Sequence, residues 1–454
     1  MTQSEAPDAA ADYGRLHEIA DQVLGLVPAG AEAQVLVQTG QEALTRFAGS
    51  FIHQNVAETV TNVMLKVTVE GASAVASINQ IDADALRGLA GRATDAARVR
   101  PADPDWPGLT GPAPLVHEGN YDPATAVASP DERAARVRAF VDACEGLESA
   151  GYCNSASSTA VYANSAGQRV AGRTTSATVD GVARTPTSDG SGRASSVRLG
   201  DLDGAALGRL AAAKARGAAD ATDLPPGRYE VVLEPSCVAD ILLFLDVYGF
   251  NGRAVHEQTS FAKLGEAQFD PSIDIWDDAA DLRIPGLPFD AEGTPKRRVD
   301  LVTGGVTTSV VHDRRTARMS GTETTGHAIP GGESFGAVAT NLVIGGGDQR
   351  ADDLIASVER GLLVTDFWYS RILDPRSQVV TGLTRNGVYL IEDGKVTRPV
   401  TNLRYTQSYV EALAPGNVLG IGDDVQPVES QFGFVVAVPT LRLASFNFTG
   451  GAKG

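Results

Sequence analysis

The chain has 454 residues, which is enough for two or three domains, and its 43% apolar and 21% charged residues are typical of a water-soluble globular protein. The net charge of −18 argues against nucleic acid as a ligand, because phosphate backbones are repelled and no basic patch offsets the charge. Three cysteines without paired spacing, no signal sequence and no apolar run of about 18 residues together predict a cytoplasmic protein that is not associated with a membrane.

Residues 1–100 predict a first α+β subdomain. A helix is expected from Gly14 to Leu26, since its apolar residues recur on one face, and a second helix from Asp82 to Val99. Between them, short runs of alternating apolar residues predict an antiparallel meander, and Glu70-Gly71-Ala72 is a hairpin turn signal. The order helix, meander, helix is typical of an α+β unit.

Residues 101–129 are rich in Pro and Gly and lack periodicity, which predicts a linker. Residues 130–224 then repeat the order helix, β-strands, helix. Pro130 is a favourable first helical residue, and the acidic Asp131 and Glu132 fit the first turn of that helix. We therefore expect a second α+β subdomain.

Residues 225–454 predict a mainly β domain with embedded helices. Its first strand, Tyr229 to Leu233, precedes a helix from Cys237 to Tyr248 that is apolar on almost all sides, and only Asp240 and Asp246 interrupt it. A helix without a polar face is buried in a core or against another chain. The predicted fold class is therefore α+β, with two N-terminal helix–β-meander–helix subdomains followed by a mainly β C-terminal domain with embedded helices.

No metal or other cofactor is predicted from the residues. A hydrolytic zinc site needs two or three imidazoles, a carboxylate or thiolate, and an open position for water. None of the six histidines is followed by a second histidine four or five residues later: His17, His53, His117, His256, His312 and His327. Scattered structural histidines are therefore the better interpretation.

Two other nucleophiles can be weighed. Gly332–Gly336 matches G-x-S-x-G, but a β run follows it where a serine-hydrolase elbow needs a helix, and His327 is the last histidine of the chain. Cys237 is predicted at a helix N-terminus, where a thiol pKa is lowered, and His256 is near it in sequence. A hydrolase that uses Cys237 and His256 stays an alternative, although a small buried apolar role for Cys237 is favoured.

Several short stretches, taken in order, resemble the TldD/PmbA family. They are the meander over 51–78, ANSAG from Ala163, PGRYEVVL from Pro226, PFDAEG from Pro288, Thr340–Leu342 leading to Gly345–Gly347, and the run from Ala437 to Gly451. Each stretch is weak alone, but their order makes the resemblance specific, and it covers nearly the whole chain.

This resemblance implies a cytoplasmic peptidase built as a dimer, typically of TldD with PmbA, which is also called TldE. In TldD members a helix carrying HExxxH and a cysteine near the C-terminus bind the catalytic zinc. The corresponding positions of this sequence are Phe244, Leu245 and Gly249, and residues 422–433 have no cysteine. Phe and Leu can neither ligate zinc nor act as a general base, so the resemblance points to the metal-free PmbA/TldE type.

We therefore expect the zinc-free subunit of a TldD/TldE-type metallopeptidase that degrades or processes unfolded peptides. The expected partners are a TldD-like zinc peptidase subunit or a second copy of this chain, and an extended peptide held as an added β-strand. A homodimeric peptide-binding scaffold is the alternative that involves no peptidase. Seven residues are candidates for lining the peptide chamber: Tyr248, Phe250, Arg253, His256, Arg314, Arg315 and His327.

Overall fold

The computed structural model describes residues 9–431 and 433–451. Six strands build the N-terminal half: β1 (Glu32–Ala48), β2 (Phe51–Val69), β3 (Ala72–Ile78), β4 (Glu148–Asn164), β5 (Arg169–Arg184) and β6 (Asp189–Ser196). They form one antiparallel sheet in the order β3-β2-β1-β4-β5-β6. Because β1 pairs with both β2 and β4, the strands predicted in the two N-terminal subdomains share a single sheet. The domain boundaries themselves stay a prediction.

Helices cover one face of this sheet: α1 (Ala9–Leu26), α2 (Ala83–Arg98), α3 (Pro123–Ala126), α4 (Pro130–Ala143) and α5 (Gly204–Gly217). Alternate residues of a strand point to opposite faces, and the residues that face the helices are apolar. Helices α1 and α2 pack on Val35 and Leu65, and α4 and α5 pack on Val179. The other face of the sheet turns towards the C-terminal half, where Tyr162 and Phe289 share a small core.

In its described residues, the C-terminal half contains two further sheets and five α-helices. Its strands are β7 (Gly227–Leu233), β8 (Ile275–Asp277), β9 (Val299–Thr303), β10 (Val306–Thr307), β11 (Leu342–Ile344), β12 (Arg360–Val364), β13 (Phe367–Asp374), β14 (Val379–Thr384), β15 (Val388–Glu392), β16 (Lys395–Pro399), β17 (Leu403–Ser408), β18 (Val418–Ile421), β19 (Gln426–Glu429), β20 (Val435–Val438) and β21 (Leu441–Gly451). Its helices are α6 (Pro235–Tyr248), α7 (Gly252–His256), α8 (Arg314–Ser320), α9 (Ala351–Ala356) and α10 (Tyr409–Ala412). One sheet has the order β10-β9-β8-β11-β20-β19, and the other has the order β13-β14-β17-β21-β7-β12-β15-β16, with β18 paired to β21.

Helix α6 lies in the main core of the C-terminal half. Its buried apolar residues share one cluster with Val231 of the nine-stranded sheet and Ile344 of the six-stranded sheet. Pro235 is its first helical residue, so the helix begins two residues before the predicted start at Cys237 and ends at Tyr248 as predicted. The prediction of a buried helix directly after the first strand of this half is confirmed.

The α+β fold class with a mainly β C-terminal half is confirmed. In the described part of the chain, fifteen strands and five α-helices follow residue 226, and these helices are short apart from α6. No helix among the described residues is long and apolar enough to cross a membrane.

Candidate functional site

The positions that the sequence resemblance predicts for the family's zinc site are filled by packed side chains. Phe244 and Leu245 are buried in the main core, and the ring of Phe244 stacks on that of Tyr248 with centroids 5.8 Å apart. A β-carbon at Gly249 would lie 1.9 Å from Cε1 of Phe261, so a larger residue fits only if that ring is displaced. Hydrocarbon side chains have no lone pair to give to a metal, so the residues present do not fit a zinc ion.

The four chamber candidates next to α6 lie in different environments. Tyr248 is half-buried and Phe250 is fully buried in the main core. Arg253 donates to the Glu257 carboxylate at 2.8 Å, and His256 is exposed. The structure therefore does not gather these four side chains around one space.

Arg314 and Arg315, at the start of α8, hold the segment that precedes α3. Arg315 pairs with Asp103 at 2.7 Å, and Arg314 donates to the backbone oxygen of Leu109 at 3.1 Å. The two arginines therefore attach the predicted linker to the C-terminal half. That segment is an ordered connection with few regular elements, as its Pro- and Gly-rich composition predicts.

Two cavities adjoin along strand β5, between the N-terminal sheet and the C-terminal half. The first, of about 340 Å³, is lined by Thr174 and Ser176, and the second, of about 480 Å³, is lined by Thr178 and Asp180. These four residues alternate along β5 and so face the same side, and Gly433 lines both cavities. Together the cavities form a cleft, and its β5 floor spans about 20 Å, the length of a six-residue extended peptide.

The first cavity, which we call the apolar compartment, is lined mainly by hydrocarbon side chains: Leu36, Ala160, Leu287, Phe289, Ile329 and Val338. A buried charge cluster closes one end. Lys296 donates to the Asn341 side chain at 2.7 Å, and Nε2 of His327 lies 2.9 Å from Oδ1 of Asp277. Burial acts to raise the pKa of Asp277, but Lys296 and His327 outweigh it and bring that pKa to about 2. Asp277 is therefore ionised, and of the seven chamber candidates, all within the described chain, His327 is the one that lines the cleft.

The second cavity, which we call the polar compartment, is lined by seven charged side chains: Asp180, Arg193, Lys214, Glu234, Asp240, Asp366 and Glu429. Arg193 lies between Asp366 at 3.0 Å and Asp180 at 3.6 Å. Lys214 pairs with Glu234 at 2.5 Å. The carboxylates outnumber the basic groups, so this end of the cleft is acidic.

Asp240 enters the polar compartment from the N-terminal half of α6. Its carboxylate accepts hydrogen bonds from the Tyr409 hydroxyl at 2.7 Å and from the Gln431 amide at 3.1 Å. Burial raises the pKa of Asp240 to about 6, although the hydroxyl hydrogen bonds act to lower it. A buried carboxyl that titrates near neutral pH beside a cavity is typical of a functional site.

Free sheet edges border the polar compartment. Strand β6 is the last strand of the N-terminal sheet, β19 of the six-stranded sheet and β13 of the nine-stranded sheet. Each contributes to the lining: Ser191 from β6, Val428 from β19 and Trp368 from β13. An edge strand presents unpaired backbone groups, which can bind an extended peptide as an added strand.

The alternative nucleophile is not assembled. Cys237 is fully buried near the start of α6, its thiol donates to the backbone oxygen of Val364 at 3.5 Å, and burial raises its pKa well above the ordinary value. His256 is exposed beyond the other end of α6, after about 16 Å of helix. The structure therefore does not bring Cys237 and His256 together.

Comparison with known proteins supports the family resemblance. Residues 226–450 match the profile of the PmbA/TldA metallopeptidase C-terminal domain. A metalloprotease TldD homologue from Haemophilus influenzae is 28% identical over 221 residues, which are 47% of this chain and 45% of that protein. A metalloprotease from Methanothermobacter thermautotrophicus is 27% identical over 226 residues, which are 48% of each chain. The chain thus spans about half the length of the curated relatives it matches.

The fold has a solved counterpart. The crystal structure of TldE from Thermococcus kodakarensis superposes with a TM-score of 0.85, covering 96% of this chain and 99% of that one, at 18% identity. At this identity the likeness establishes the fold, while the sequence relatives and the domain profile establish the descent. The chain belongs to the TldD/PmbA/TldE family of metallopeptidase-type proteins.

Proposed function

We propose that this chain is the zinc-free, TldE/PmbA-type subunit of a cytoplasmic two-chain peptidase complex. A TldD-like partner would supply the zinc and the HExxxH helix. This chain would hold an extended segment of unfolded peptide in its cleft. The observation that carries the proposal is the contrast between the filled zinc positions and the open cleft beside the same helix.

The filled positions support the absence of a catalytic metal on this chain. Phe244 and Leu245 pack against the main core with hydrocarbon surfaces, and Gly249 has no room for a side chain. A zinc-dependent reaction in the complex would then depend on ligands from another chain. A TldD-like subunit is the family member that has such ligands.

The cleft supports peptide binding. Its floor follows a strand for about six residues, three sheet edges border one end, and the other end offers an apolar compartment. A peptide added to one of these three sheet edges is held by backbone hydrogen bonds, which demand little of its sequence. This geometry favours unfolded segments over folded proteins as the ligand.

The partner is tested by coexpression with a TldD-like chain that contains HExxxH, with a tag on this chain. We expect a complex that carries zinc and cleaves unstructured peptides, whereas this chain alone carries no zinc and cleaves none. Elemental analysis and peptide cleavage are measured on both preparations. Stoichiometric zinc in the isolated chain, or no recovery of the TldD-like chain with the tag, would contradict the proposal.

The peptide cleft is tested by filling its floor. Ser176 is half-buried on β5 and lines the apolar compartment, so Ser176→Tyr should occupy space that the peptide needs. We expect peptide affinity to fall at least tenfold, measured by fluorescence anisotropy. Thr59→Tyr, on an exposed part of β2, is the matched control and should leave affinity unchanged. Equal affinities of the two variants would show that the peptide lies elsewhere.

A further inference from the structure

The polar compartment has more acidic groups than its own basic groups can neutralise. Arg193 forms an ion pair with Asp366, and Lys214 forms one with Glu234. Asp366 also accepts a hydrogen bond from the Asn386 amide at 3.0 Å. Asp180 has only a distant contact with Arg193, at 3.6 Å. These pairs leave Asp240 and Glu429 facing the same cavity without a cation of their own among the described residues.

Three polar atoms at this cavity are buried without a hydrogen-bond partner in the described structure. They are Nε of Arg193, which faces the Asp180 carboxylate at 3.6 Å, Oε2 of Glu429 and the hydroxyl oxygen of Ser430. Ser430 is only 8% exposed, and both Glu429 and Ser430 line the polar compartment as possible acceptors. Buried polar atoms are nearly always paired in native proteins, so unpaired acceptors beside an open cavity indicate a ligand that donates hydrogen bonds.

The unpaired groups define the chemistry of that ligand. A carboxylate oxygen can only accept hydrogen bonds, and Oδ1 of Asp240 retains a free lone pair beside its one bond from Gln431. An anion would be repelled by these carboxylates. A divalent metal also fits poorly, because within residues 9–431 and 433–451 no three acidic, His or Cys side chains are placed to share one ion. An ammonium group supplies both the positive charge and three donors.

We propose that the polar compartment binds a protonated amine of the peptide, through Glu429, Ser430 and Asp240. The amine is either the α-ammonium of the peptide N-terminus or the ε-ammonium of a lysine. This inference rests on the proposed peptide-binding function. The amine lies over the Asp180 end of β5, and recognition of the α-ammonium would also direct the following residues towards the apolar compartment.

Four matched peptides test the inference with the unmodified chain. They share one unstructured sequence with a C-terminal dye and differ only in acetylation of the α-amine, of the single lysine, of both or of neither. Affinities are measured by fluorescence anisotropy at pH 7.5 and low salt. We expect the doubly acetylated peptide to bind at least about tenfold more weakly than the free peptide, since a charge-assisted hydrogen bond is lost. The two singly acetylated peptides identify which amine is recognised.

Variants of the chain locate the contact. Glu429→Gln should lower the affinity for the amine-bearing peptide about tenfold and leave the affinity for the doubly acetylated peptide unchanged. Ser430→Ala should act in the same direction more weakly, and Glu323→Gln, at an exposed carboxylate outside the cleft, should have no effect. If all four peptides bind equally, the amine site is wrong while peptide binding stands. If no peptide binds, the proposed function falls together with the amine site.

Discussion

The two halves of helix α6 have opposite surroundings. In its C-terminal half, Phe244 and Leu245 are enclosed by hydrocarbon, whereas in its N-terminal half Asp240 is buried beside an acidic cavity. The first arrangement stabilises the fold through apolar burial, and the second costs stability because charge is removed from water. The comparison teaches that one helix can serve packing at one end and bring a titratable carboxyl to a cavity at the other, and the proposed function places the zinc-free positions at the first end and peptide binding at the second.

The largest expected effect comes from returning a metal ligand to the packed half. Gly249→His places a β-carbon 1.9 Å from Phe261 and 2.3 Å from the backbone oxygen of Leu245. We expect the free energy of unfolding to fall by at least about 5 kcal/mol, because both the ring and the helix backbone must move. Urea unfolding followed by circular dichroism measures this change.

A glycine on an open helix surface is the control for that substitution. Gly91 in α2 is exposed, and an added β-carbon would meet nothing within 4 Å. Gly91→Ala should therefore stabilise the chain by about 1 kcal/mol. If Gly249→His is as stable as the wild type, the packed half of α6 can still accommodate a metal-ligating side chain. The contrast between the two halves of the helix would then be weaker.

The sequence alone predicts the burial of the packed half of α6, because the pattern that indicates it lies within the helix. Apolar residues surround the helix on all sides, and Gly249 ends it, so burial follows from the sequence alone. Asp240 was also visible as one of two interruptions in an apolar run. Its neighbours in the polar compartment could not be identified from the sequence. Asp180 and Glu429 lie on strands far apart in the chain that meet only through tertiary packing.

Strand β6 shows why part of the cleft was not predicted from the sequence. Its sequence, DGSGRASS, lacks the alternating apolar residues that predict a strand. The reason lies in packing against α5: β-carbons at Gly190 and Gly192 would lie 2.2 Å from the nitrogen of Ala215 and 2.1 Å from the oxygen of Leu207. The strand therefore needs small residues where a strand usually shows large ones, and it was not predicted.

The second prediction tests the charge cluster that closes the apolar compartment. Lys296→Met removes the lysine beside the fully buried Asp277, whose carboxylate then keeps its contact with the His327 ring. We expect the free energy of unfolding at pH 7 to fall by about 3–4 kcal/mol, because breaking a buried ion pair leaves one charge buried without a counter-charge. Lys395→Met, at an exposed position on β16, should change stability by less than about 0.5 kcal/mol.

The pH dependence of this loss follows from the lowered pKa of Asp277. In the wild type, an ionised Asp277 contributes stability above the unfolded pKa of about 4, and this contribution disappears as the pH falls through about 2. The difference between wild type and Lys296→Met should therefore shrink in acid. A difference that is the same at pH 7 and pH 2.5 would mean that the lost interaction is not the ion pair.

The third prediction concerns Asp240, whose contribution to stability changes with pH in the opposite direction to that of Asp277. Its folded pKa of about 6 lies above the unfolded value of about 4, so the folded chain favours the protonated form. Stability from this group is complete below pH 4 and is lost as the pH rises through 6. Asp240→Asn should therefore match the wild type near pH 4 and exceed it by about 2 kcal/mol at pH 7.5. Thermal or urea unfolding between pH 4 and 8 measures the gap, with Glu323→Gln as the baseline, and a gap that does not grow with pH would refute the assignment.

The smallest expected effect separates stability from binding in the polar compartment. Burial raises the pKa of Glu429, and its Oε2 atom has no partner among the described residues, so a neutral amide should be buried at lower cost. We expect Glu429→Gln to raise the free energy of unfolding by about 1 kcal/mol while it weakens amine binding. Urea unfolding at pH 7.5 measures the first change and peptide anisotropy the second. A variant that loses both stability and binding would indicate that Glu429 stabilises the fold, and the acidic cavity beside the N-terminal half of α6 would then lack its proposed binding role.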